Sequence, residues 1–107
     1  MIFIRDGSQP FLSMTTYSTG DDSLPQSMAI ADFNNDNHLD IIVANYGKNT
    51  VGILLGNGNG IFMNQTTQTT GDNSQPRSVA VGDFNNDNQS VIVVVNTGTN
   101  TIGILLG

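Results

Sequence analysis

Short apolar stretches, broken at regular intervals by Asn, Asp and Gly, run the length of this chain. Ser27–Phe33 (SMAIADF) alternates: Met28 and Ile30, with Asp32 in step, stand on one side of a pleat, and the small Ala29 and Ala31 on the other. Asp40–Tyr46 (DIIVANY) is a continuous apolar run, the pattern of a strand covered on both faces. Thr50–Leu55 (TVGILL) predicts a third strand, and Gly56-Asn57-Gly58-Asn59-Gly60 a tight turn after it. Phe62–Thr69 is a fourth, polar and Thr-rich, as suits an outer strand that carries little core. Helix formers are scarce, and long helices are excluded.

The whole pattern then repeats. A shift of 51 residues places Thr19-Gly20-Asp21 on Thr70-Gly71-Asp72, Pro25 on Pro76, and ADFNNDN at Ala31–Asn37 on GDFNNDN at Gly82–Asn88. Between Gly20–Gly56 and Gly71–Gly107, about 23 of 37 positions are identical without a gap, more than chance supplies. Four short antiparallel strands in a period of this length are the signature of a β-propeller blade. The expected fold is all-β: two four-stranded antiparallel blades, with a partial blade over 1–22, a full repeat over 23–70, and a second repeat over 71–107 that lacks its outer strand.

Composition sharpens this reading. Nine acids, all Asp, face three cations (Arg5, Lys48 and Arg77), a net charge of -6 that argues against a nucleic-acid partner. The absence of cysteine excludes disulfides and thiolate metal sites. No apolar run has the length of a membrane span, so no membrane insertion is expected. The opening MIFIRDG lacks the features of a signal peptide, so a secreted parent would contribute this chain as a mature piece or an engineered fragment. With one histidine and no glutamate, no acid–base dyad or Ser-His-Asp set can be drawn, and the chain is expected not to be an enzyme.

The acids are crowded, and that crowding carries the chemistry. In Asp32-Phe33-Asn34-Asn35-Asp36-Asn37-His38-Leu39-Asp40, oxygen side chains recur at positions 1, 3, 5 and 9. Calcium takes six to eight oxygen ligands at flexible distances, and a cation relieves the repulsion that such crowding creates. Asp32, Asn34, Asp36 and Asp40 are the candidate side-chain ligands, and His38 at position 7 would ligate through its main-chain carbonyl. Asn37, at the position often held by Gly, tolerates a left-handed backbone. In the second copy Asp83, Asn85 and Asp87 remain and Gln89 offers an amide carbonyl, but position 9 is Val91, which marks a weaker site. Metal-free Asx turns are the alternative for both loops. An EF-hand would need an acid at position 12, which is Val43, and a flanking helix; a calcium β-roll would need a nonapeptide period.

Ser27–Asn45 (SMAIADFNNDNHLDIIVAN) and Thr50–Phe62 (TVGILLGNGNGIF), with their equivalents in the second copy, resemble the FG-GAP repeat of integrin α-subunit propellers and its bacterial-type relative, the VCBS repeat. The resemblance implies a calcium loop between the first two strands of each blade, in a non-catalytic module for extracellular adhesion, recognition or scaffolding. Some fungal lectins resemble the same repeats. A glycan ligand is therefore the alternative to a protein ligand, although the chain has no Trp and only Tyr17 and Tyr46 to stack on a sugar.

Two blades would leave two apolar faces in water. The chain opens on the equivalents of a third and a fourth strand, Ile2–Ile4 and Phe11–Tyr17, and ends on a third, Ile102–Leu106. A head-to-tail homo-oligomeric ring is expected, three chains making six blades.

Overall fold

The computed structural model describes residues 14–84 and 86–106. Seven strands follow one another: β1 (Pro25–Ala31), β2 (Asp40–Asn45), β3 (Thr50–Leu54), β4 (Thr66–Thr69), β5 (Pro76–Gly82), β6 (Val91–Asn96) and β7 (Thr101–Leu106). A single turn of 3-10 helix, Tyr46–Lys48, joins β2 to β3. The strands form two antiparallel sheets, β1-β2-β3-β4 and β5-β6-β7, each in chain order. These are the blades that the repeat predicts, the second with three strands among the described residues.

Ile2–Ile4 and the first part of Phe11–Tyr17 lie outside the described residues, and Met14–Tyr17 carries no strand. Thr66–Gln68, the equivalents of Thr15–Tyr17, pair with β3 in the first sheet, and among the described residues Thr15–Tyr17 has no such neighbour. Phe62 joins only an isolated bridge to Gly56, so β4 is shorter than the predicted Phe62–Thr69.

The 51-residue period is written into the backbone as well as the sequence. Left-handed residues occur in pairs one period apart: Asp22 and Asn73 (φ 60 and 58), Leu24 and Gln75 (47 and 49), Asn49 and Asn100 (56 and 56). β1 and β5 break register at matching places, between Pro25 and Ser27 and between Pro76 and Ser78. Asn45 and Asn96, buried at the ends of β2 and β6, each donate Nδ2 to the hydroxyl of the residue that opens the next strand, Thr50 and Thr101.

The core lies between the sheets. Ile42, Ala44 and Val51 of the first meet Val79, Ile92 and Val94 of the second, all buried. Because β-strand side chains alternate, a sheet presents one set of positions on each face, and the two sheets do not use the same set. The first turns its Ala29 face inward and leaves Met28 and Ile30 exposed; the second turns inward Val79 and Val81, the equivalents of Met28 and Ile30.

Candidate metal site

The β1–β2 loop begins where β1 can no longer pair. Asn35 and Asn37 adopt left-handed backbone (φ 62 and 65), a conformation Asn tolerates better than other residues with a side chain, and the chain coils around the Asp32 carboxylate. Asp32 Oδ1 accepts the N–H of Asp36 at 3.1 Å, and its Oδ2 accepts that of Asn37 at 2.8 Å. Asp36 Oδ1 in turn accepts the His38 N–H at 2.9 Å. That N–H is the largest influence on Asp36 and holds its carboxyl below the ordinary carboxylate value, with smaller help from the His38 charge and the Asn34 and Asp32 side chains. The imidazole of His38 lies against Gly58 in the β3–β4 turn.

Asp40 differs from the other two. It opens β2, is fully buried, and accepts one backbone N–H on each oxygen: Phe33 on Oδ2 and Gly56 on Oδ1, both at 2.9 Å. A buried carboxylate needs such partners to offset its lost hydration. Asp40 therefore staples the β1–β2 loop to the turn that follows β3, a link between residues sixteen positions apart.

Asp32, Asp36 and Asp40 each bring one carboxylate oxygen within 4.8 Å of the others. Two oxygens bound to one calcium at its usual distances stand no more than about 5 Å apart, so this donor set fits the ion. Hard oxygen donors, with Asn34 beside Asp36, are the chemistry calcium selects.

The second loop has the same main chain. Asp83 accepts the N–H groups of Asp87 (3.1 Å) and Asn88 (2.8 Å), Asp87 accepts that of Gln89 (2.9 Å), and Asn86 and Asn88 are left-handed. Desolvation pushes the Asp83 carboxyl up, but the N–H groups of Asn88, Asp87 and Asn86 outweigh it and leave it below its ordinary value. Asn85 lies outside the described residues. At position 9, Val91 is buried in β6 between Gly82 and Leu106, so the third carboxylate and its staple are both missing.

Two features go beyond the sequence expectations. The loops touch: Asn35 Nδ2 donates to the Asn88 carbonyl at 2.9 Å, and Ser90 Oγ to the Asp32 carbonyl at 3.4 Å. The left-handed Asn35 also adds a second conformational requirement beside Asn37, one that the repeated Asn-Asn pair could have signalled. Both tyrosines are packed. Tyr17 meets Phe62 edge-on at 5.7 Å and accepts its N–H, and the Arg77 guanidinium covers the Tyr46 ring at 4.9 Å.

A family model described as FG-GAP-like repeat matches residues 32–94, more than half of the chain, from the first carboxylate of one loop into the strand that follows the other. No curated protein and no solved structure matches the chain. Among the described residues no helix is long and apolar enough to cross a membrane.

Proposed function

The chain belongs to the FG-GAP-like repeat family, and from that premise we propose that it is a calcium-binding, non-catalytic recognition module of an extracellular protein. The observation that carries this reading is the convergence of Asp32, Asp36 and Asp40 on one point of the β1–β2 loop. Asp32, Asp36 and Asp40 would hold the ion with Asn34 and the main chain at His38, and one calcium there would offset most of the repulsion among three carboxylates. A site with three acids, one intermediate, one exposed and one buried, suits the weak affinities of extracellular modules, about 10⁻⁴–10⁻³ M. Bound calcium would rigidify the hairpin, and the loops at that end of the blades would form the recognition surface.

An ion that binds only the folded loop stabilises the fold by mass action, by about 1.4 kcal/mol at ten times its dissociation constant. For a domain of this size that raises the melting temperature by several degrees. Thermal melts in millimolar calcium and in chelator should therefore separate, and Asp36→Ala should bring them together. Coincident melts of the native chain would refute calcium binding.

A further inference from the structure

The two sheet faces left exposed are repeat equivalents of the two faces that meet in the core. At the internal junction the second sheet presents Val79, Val81 and Ile92, whose equivalents in the first sheet are Met28, Ile30 and Ile41. The first sheet presents Ala44, Val51 and Ile53, whose equivalents in the second are Val95, Ile102 and Ile104. Met28 and Ile30 are 50 % and 57 % exposed, and Ile102 and Ile104 61 % and 63 %. Large apolar side chains side by side in water, in a pattern that packs tightly elsewhere in the same molecule, mark an interface. We propose that a second copy of this chain docks head to tail, its second sheet on the first sheet of its neighbour, by repeating the internal junction.

The chain entering β1 supports this independently. Thr15–Ser18 (TTYS) is the equivalent of β4 (TTQT), the strand that pairs with β3. It forms no strand here, while β7, the equivalent of β3, pairs with β6 alone among the described residues. The turn joining Thr15–Ser18 to β1 already has the shape of the turn joining β4 to β5. Gly20 and Gly71 have φ 100 and 108. Thr19 and Ser23 hydroxyls meet at 2.6 Å, as do those of Thr70 and Ser74. That turn carries β4 from the outer edge of one sheet to the start of the next. In the same shape it places Thr15–Ser18 at the outer edge of whichever sheet covers Met28 and Ile30. On a docked copy, that edge is β7.

One hydrogen-bonding residue completes the correspondence. At the internal junction Asn49 accepts the Thr70 N–H on its carbonyl and the Gln75 N–H on Oδ1, both at 2.9 Å. Its equivalent, Asn100, has the same left-handed backbone, and the matching donors are the N–H groups of Thr19 and Leu24 in the neighbouring copy. A head-to-tail junction is heterologous, so it propagates until it closes. Six blades, from three chains, fall within the range of propellers.

Light scattering on the purified 107-residue chain, with calcium present, tests the proposal. The expected mass is three times the 11.4 kDa of one chain, and a folded species of one chain mass at tens of micromolar would overturn it, leaving both faces to further repeats of a longer parent. Ile30→Arg and Ile104→Arg alter exposed positions on opposite faces and should each give a folded monomer by circular dichroism. Mixed in equal amounts, they should form a complex of two chains, because each keeps the face the other has lost. Failure of the mixture to associate at concentrations where the native chain does would also overturn the proposal.

Discussion

The β1–β2 and β5–β6 loops share a main chain and differ in their carboxylates. Both wrap the first Asp around the N–H groups of positions 5 and 6, both lean the fifth residue on the N–H of position 7, and both use left-handed Asn at positions 4 and 6. The second does so with Val91 in place of the ninth carboxylate. Loop shape therefore comes from local Asx hydrogen bonds and from Asn, and needs neither a complete donor set nor Asp40. What Asp40 adds is a third oxygen at the cluster and a staple to Gly56. Both loops are built on Asx hydrogen bonds, and at position 9 one has a third carboxylate where the other has Val91.

The largest effect is expected at Asp40. Asp40→Ala leaves the buried N–H groups of Phe33 and Gly56 without their charged acceptor, and should cost about 3 kcal/mol even in chelator. Urea unfolding measures this; a loss no larger than that of a surface substitution would show that Asp40 does not staple the loop. The reverse change, Val91→Asp, puts a carboxylate in a buried strand position and should destabilise the calcium-free chain by about 2 kcal/mol. In calcium the same variant should bind one further ion per chain, and an unchanged stoichiometry would show that a carboxylate at position 9 does not make a site of the second loop.

Smaller effects test what the loops share. Asn37→Ala and Asn88→Ala place a residue with a Cβ in the left-handed region, and each should cost about 1 kcal/mol, with Asn37→Gly near neutral. Clearly unequal losses in thermal unfolding would contradict the identity of the two main chains. The smallest expected effect is that of pH. Asp36 and Asp83 have folded-state pKa values below the ordinary 3.8, so the stability they contribute is present above that value and is lost as pH falls through the lower, folded one. The calcium-induced rise in melting temperature should stay level from pH 7 to about 5; a decline already evident at pH 6 would point to ligands other than these carboxylates.

Much of this was legible in the sequence because the repeat states it twice. The strands over Asp40–Asn45 and Thr50–Leu54 stand within a residue of where apolar runs placed them, and the loop falls between β1 and β2 as its spacing required. Which face of a sheet is covered was not legible. Met28 and Val79 are equivalent apolar residues in alternating strands, yet one is exposed and the other buried. The difference lies in which sheet has a neighbour on that side, a property of assembly rather than of local pattern. Asp40 shows a second limit. Its spacing marked it as a ligand, but its bond to Gly56 depends on β3 bringing that turn alongside β2, which no local pattern encodes.

A calorimetric calcium titration of the native chain beside Asp40→Val, which gives the first loop the second loop's residue at position 9, tests whether Asp32, Asp36 and Asp40 hold the ion. The native chain should bind one calcium per chain in its tighter phase, and Asp40→Val should lose that phase while circular dichroism shows the fold retained. Equal binding by the two folded proteins would contradict the assignment of the site to Asp32, Asp36 and Asp40.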